Sequence, residues 1–238
     1  MQKVICLWSS PRNCSTALMY AFAQRNDVKV FDEVLYAHYL FSSEAQHPGR
    51  SQILKAQEKD GEKVIENIIL KFRDKVSFHK LMTHFLINLD LSFLKKVINI
   101  ILIRRPEEII YSYSKVISEF TMNDIGIKQQ YDLYHELLRI NNPAIVLDSR
   151  YLLQNPEKVL NKLCELLSIP FDKQMLSWEK GGRKEDGVWA KYWYKNLHQS
   201  IGFLPYIKKD IVLSENNLNL AKECAPYYDF LTDKSIKI

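Results

Sequence analysis

Glycine and proline are scarce in this chain, seven and eight residues among 238. That scarcity excludes collagen-like, low-complexity and long-linker sequences, which need far more of both. Cysteine is scarcer still. Cys6, Cys14, Cys164 and Cys224 form no CxxC pair and lack the density of a disulfide scaffold, which fits reduced thiols and a cytoplasmic location. The six histidines are scattered, so no zinc-like Cys/His spacing exists and no structural metal is expected. No apolar run approaches the roughly 18–20 residues of a membrane span. The opening stretch up to Pro11 is not built like a signal peptide.

A large charge excess is also missing, since Lys and Arg outnumber Asp and Glu by only five. The basic residues are dispersed in pairs, Lys95-Lys96, Arg104-Arg105, Arg183-Lys184 and Lys208-Lys209. Such pairs make neither a basic helix nor a finger, so no nucleic-acid partner is expected; a small phosphate-bearing ligand is. What is present is an ordinary globular balance, 47% apolar and 26% charged. It suffices to bury a core within one domain spanning residues 1–238.

Short apolar runs bounded by polar turns mark five buried strands: Val4–Trp8, Val28–Phe31, Phe78–Met82, Val97–Ile103 and Ala144–Leu147. Between them lie helical stretches: Thr16–Gln24 with Ser15 or Thr16 as N-cap, Pro106 to about Ser118, Tyr131–Arg139, Glu157–Leu167, and a last one around Leu218–Glu223. Residues 34–75 read as irregular and helical, with an amphipathic segment Val64–Phe72; Trp178–Gly202 reads as loop. The alternation predicts an α/β fold, a central parallel sheet flanked by helices.

Ligands of such sheets bind at the carboxyl ends of the strands. Ser9–Thr16 (SSPRNCST) occupies that place after the first strand. The following helix offers free N–H groups and its positive dipole end, Ser15 and Thr16 add hydroxyls, and Arg12 adds a fork suited to oxyanions. The nucleotide-kinase loop GxxxxGK(S/T) and the dinucleotide fingerprint GxGxxG are both absent.

SSPRNCSTALM resembles the 5′-phosphosulfate loop of the sulfotransferases that use 3′-phosphoadenosine-5′-phosphosulfate (PAPS). The resemblance implies a P-loop-like three-layer fold with PAPS as co-substrate, 3′,5′-ADP (PAP) as product and no metal. It assigns Arg12, Asn13, Cys14, Ser15 and Thr16 to the 5′-phosphosulfate, with Arg12 at the bridging oxygen; Cys14 stands where many members carry Gly. Ile103–Ser112 (IRRPEEIIYS) is similar to the family's 3′-phosphate motif and assigns Arg104 and Ser112. Arg183-Lys184 fits the basic stretch that closes over the 3′-phosphate only loosely, because Glu185 follows rather than Gly. Trp189, Trp193 and Tyr194 are candidates for stacking on adenine or lining the acceptor pocket, or plain core. The implied acceptor is a hydroxyl or amine on a small molecule, a lipid or a sugar.

Sulfuryl transfer also needs a general base, and two residues compete. His84 lies in Met82-Thr83-His84, which resembles the Lys-Thr-His segment of cytosolic members, with Met at the Lys position and Lys80 two residues earlier. Glu33 follows the second strand, and other branches of the family use a glutamate. The ordinary imidazole pKa near 6.5 favours His84, whereas a glutamate needs burial to raise its own; His198 is a more distant candidate. Three rivals stand beside this reading: a nucleotide-binding protein without transfer activity, a small-molecule kinase, and a cysteine phosphatase built on the CxxxxxR spacing of Cys6 and Arg12.

Overall fold

The computed structural model describes residues 2–71, 76–208 and 210–237. Phe72, the expected end of the amphipathic segment, and Lys209 lie outside them. The apolar runs form five strands: β1 (Lys3–Ser9), β2 (Val28–Asp32), β3 (Val76–Met82), β4 (Ile98–Ile103) and β5 (Ile145–Asp148). They pair in the order β2-β3-β1-β4-β5, and every pairing is parallel. Alternate residues of one strand face opposite layers. Cys6 and Trp8 enter one core with Ile101 and Ile103, while Ile5 and Leu7 enter the other with Phe78, Ile100 and Leu102. Helices thus cover both faces, giving the three layers expected.

The chain places β2 and β3 to one side of β1, then crosses to lay β4 and β5 on the other. The carboxyl end of β1 is therefore a topological switch point, where such sheets open a crevice. Asp32 pairs in register with Lys80, and Ser9 with Met82 on one side and Leu102 on the other. The strand ends thus gather the site.

Helix boundaries differ more from expectation. The helix after β4 runs only Pro106–Tyr113. Ser114 donates to the Tyr111 carbonyl at 3.2 Å and the backbone turns there, a side-chain bond that competes with helix continuation. A short helix Ser149–Gln154, capped by Asp148, was not expected. The C-terminal helix spans Glu215–Lys234, with Pro226 inside it. Its Tyr228 hydroxyl donates to buried Asp148 at 2.8 Å, and Ser235 bridges to Val146, so long-range contacts extend a segment of weak local pattern. Residues 34–71 hold short helices at Tyr36–Ser43, Arg50–Ala56 and Gly61–Val64, then a π-turn at Ile65–Ile69.

Candidate active site

The loop after β1 folds around Asn13. Its buried amide donates to Ser10 Oγ at 3.0 Å and to the Leu102 carbonyl at the end of β4. Arg12 and Cys14 flank it in the left-handed region, at φ 58° and 59°, uncommon for residues other than glycine. Cys14 thus adopts a turn that glycine takes without steric cost. It also takes the N-cap position of helix Ser15–Phe22 without a side-chain cap bond, so Ser15 and Thr16 are the first helical residues rather than the cap. Both hydroxyl residues line the cavity described below.

Arg12 leaves this loop and donates through Nε to Ser112 Oγ at 2.9 Å and through Nη1 to the Trp193 carbonyl at 3.1 Å. Among the described residues no carboxylate pairs with it. Burial and the neighbouring charge of Arg104 pull its pKa down, though an arginine stays protonated all the same. Arg104, at the end of β4, donates to the Arg12 carbonyl at 2.6 Å and to Glu108 at 2.8 Å. The two stretches assigned to the nucleotide's phosphates are thus bonded directly. Tyr206, which the sequence reading missed, donates to the other oxygen of Glu108 at 2.8 Å.

These groups line a cavity of about 600 Å³. Glu33, Lys80, His84 and the rings of Tyr36, His47 and Trp193 line the same cavity. Arg183, Lys184 and His198 do not line it. Arg183 pairs with Glu185 at 3.2 Å and lies over the Tyr20 ring at 5.8 Å, Lys184 is exposed, and His198 bonds Asp186 at 2.9 Å. Trp189 is 2% exposed, inside the core, where its indole N–H donates to the Tyr194 hydroxyl at 3.0 Å. Trp193 and Tyr194 do reach the cavity.

The two base candidates sit in contrasting surroundings. His84, in the turn Thr83–Phe85 after β3, packs edge-on to the Tyr39 ring at 4.9 Å and against Gly126. Burial, with the charge of His47, pushes its pKa down to about 3. The ring is therefore neutral near pH 7 and a poor proton acceptor. Glu33 directly follows β2 and lies in the left-handed region, φ 41°, a strained conformation that the surroundings must over-determine. Its N–H donates to the Lys80 carbonyl at 2.8 Å, and Gln57 donates to its carbonyl at 3.1 Å. Burial raises the pKa of its carboxyl, against the pull of Lys80 and with the push of Asp32.

Lys80 is the principal site residue that was not assigned from sequence. Fully buried, it donates to Asp32 at 3.1 Å, to Tyr194 at 2.8 Å and to the Glu33 carboxylate. The signal was a lone lysine inside the apolar strand VSFHKLM. Cys6 of the phosphatase reading is wholly buried in β1, and burial pushes its thiol up, which leaves it inert. Among the described residues no group of three or more His, Cys, Asp and Glu side chains is arranged for a metal, and no helix is long and apolar enough to cross a membrane.

Two Arabidopsis thaliana proteins named branched-chain-amino-acid aminotransferase-like proteins 2 and 1 are 37% and 36% identical to this chain, each over 96% of it. The chain spans 41% of the length of each. The fold is shared with a sulfotransferase of Alicyclobacillus acidocaldarius, at TM-score 0.57 and 9% identity, over 98% of this chain and 95% of that one. It is shared too with the sulfotransferase domain of the curacin biosynthetic pathway, at TM-score 0.54 and 15% identity, over 94% of this chain and 98% of that one. The family described as Sulfotransferase domain matches residues 2–234, and the chain belongs to that family.

Proposed function

We propose that the chain transfers the sulfuryl group of PAPS to a hydroxyl or amine of a small molecule, lipid or sugar acceptor. The observation that carries the reading is Arg12. It is a half-buried guanidinium without a carboxylate partner among the described residues, bonded to Ser112 and braced by Arg104 at a helix N-terminus. Two arginines this close favour a ligand bearing more than one anionic group. Residues 12–16 would hold the 5′-phosphosulfate, and Arg104 with Ser112 the 3′-phosphate.

In the reaction the acceptor's oxygen or nitrogen forms a bond to sulfur while the bond from sulfur to the bridging oxygen breaks. The electron pair of the broken bond stays on that oxygen, and the nucleotide leaves as 3′,5′-ADP. Arg12 neutralises the charge that grows there, as preorganised donors do at other developing oxyanions. The acceptor's proton must go to a base on the cavity wall. Burial favours Glu33 for this over His84, because it raises the carboxylate's proton affinity while it suppresses that of the imidazole. The rings of Tyr36, Phe85, Tyr113 and Trp193 offer apolar faces for the acceptor's body.

The test is incubation with sulfur-labelled PAPS and a panel of alcohols, phenols, sugars and amines. The reading expects one sulfated product per 3′,5′-ADP formed, and strong loss of label transfer in Arg12→Ala. Absence of any binding of PAPS or 3′,5′-ADP would overturn it; binding without transfer to any acceptor would leave a nucleotide-binding protein.

A further inference from the structure

A fully buried ammonium is tolerated only where carboxylates and hydrogen bonds compensate it. Lys80 has such compensation in excess. Two carboxylates, Asp32 and Glu33, bond to its single ammonium, so the cluster carries one negative charge too many for its burial. We propose that Lys80 is a positioning residue for the transfer: it fixes the Glu33 carboxylate at the cavity wall and, with Asp32 and Tyr194, governs how readily that carboxylate takes a proton. This rests on the sulfuryl-transfer reading, in which Glu33 is the base.

The hydrogen bonds assign unequal parts to the two acids. Asp32 accepts from Lys80, from the Tyr194 hydroxyl at 2.8 Å and from the Gly187 N–H at 3.4 Å, and it does not line the cavity. Glu33 lines the cavity and lies farther from the Tyr194 hydroxyl, at 3.3 Å. That hydroxyl has one proton to give, and burial together with both carboxylates keeps it there. With the proton given to Asp32, Lys80 is the donor left for Glu33. When Glu33 then takes the acceptor's proton, the ammonium is not stranded, because Asp32 still neutralises it. The second carboxylate thus lets the lysine stay charged through the step. Lys80 also holds Glu33 twice, by its side chain and by the carbonyl that accepts the Glu33 N–H.

The titratable groups around the pair are Asp32 on β2, Lys80 on β3, Tyr194 after the helix Ala190–Trp193, Tyr36 at the start of its helix, and Tyr20 on Ser15–Phe22. The tyrosines are all held protonated by burial, and of the two acids bonded to Lys80, Glu33 is the one on the cavity wall.

The experiment is an NMR titration of the full chain carrying ¹³C-glutamate and ¹⁵N-lysine, without nucleotide. In the unmodified protein the Lys80 Nζ resonance should step at the Glu33 midpoint, and Glu33→Gln should remove that step. In folded Lys80→Met, Glu33 should bind its proton at least about tenfold more tightly, and Lys80→Arg should restore most of the difference. An unmoved Glu33 midpoint in folded Lys80→Met overturns the proposal. Should that variant not fold, a Lys80 Nζ resonance blind to the Glu33 midpoint in the unmodified protein overturns it as well. Neither readout needs a nucleotide, so a failure of the sulfuryl-transfer reading would appear separately, as absent PAPS binding.

Discussion

The proposed anion cluster is assembled from two contiguous stretches, residues 11–16 and 104–112, each running from a strand end into a helix. The proposed proton cluster is assembled from Asp32 at the end of β2, Glu33 just after it, Lys80 on β3, and Tyr194, which reaches Asp32 across 162 residues of sequence. In the first cluster the chemistry is local: dipole, hydroxyls and arginine follow one another along the chain. In the second it is tertiary, because burial and the parallel register of Asp32 with Lys80 create it. The lesson is that anion binding can be specified by a short loop. A tuned carboxylate needs the whole sheet.

The largest effect expected is in the proton cluster. Glu33→Gln should lower turnover by roughly 10²–10⁴-fold, the usual worth of a positioned base, with little change in nucleotide affinity. His84→Ala should cost much less. The pH–rate profile should show no limb at the ordinary imidazole value, since the folded His84 has a pKa of about 3. A dead His84→Ala beside an active Glu33→Gln would return the role of base to His84.

In the anion cluster, Arg12→Ala should raise the barrier by about 3–4 kcal/mol, read as single-turnover rates with saturating PAPS. Arg12→Lys should recover part of this, as a point charge replaces a fork. Weakened binding with an unchanged rate would make Arg12 a clamp for the ground state only.

This contrast explains what was legible in the sequence. The five strands and the α/β class were readable because each is a short apolar run between polar turns. Arg12, Ser15, Thr16, Arg104 and Ser112 stand out in two short stretches that follow strand ends, and the fold brings all five to one cavity; their roles remain proposals. The choice of His84 over Glu33 rested on ordinary pKa values, and burial alters both. Lys80 carried only the signal of a lysine in an apolar strand; its two acid partners come from the neighbouring strand. Trp189, open from sequence to adenine, the acceptor pocket or plain core, takes the core, where its indole donates to Tyr194. The C-terminal helix was cut short because Tyr228 and Asp148, 80 positions apart, supply what its local pattern lacks.

Smaller effects sharpen the comparison through stability. Asn13→Ala removes two buried hydrogen bonds of the loop and should cost about 1–3 kcal/mol in chemical denaturation. It should weaken 3′,5′-ADP binding while the Glu33 titration stays put. His84 provides a pH signature. Its folded pKa lies below the unfolded value near 6.5, so the unfolded chain binds the extra proton. Its contribution is whole above pH 6.5 and is lost as pH falls toward about 3. The slope is at most about 1.4 kcal/mol per pH unit. A His84→Ala variant should lose stability less steeply across that window.

The central claim is that one cavity holds two phosphate groups at the loops of β1 and β4. Calorimetric binding of 3′,5′-ADP and 5′-AMP tests it most directly, in the unmodified chain and in Arg104→Ala. The account predicts at least about tenfold tighter binding of 3′,5′-ADP, a gap of about 1.4 kcal/mol, and its collapse in Arg104→Ala while 5′-AMP binding changes less. Equal affinities for the two nucleotides in the unmodified chain would contradict it.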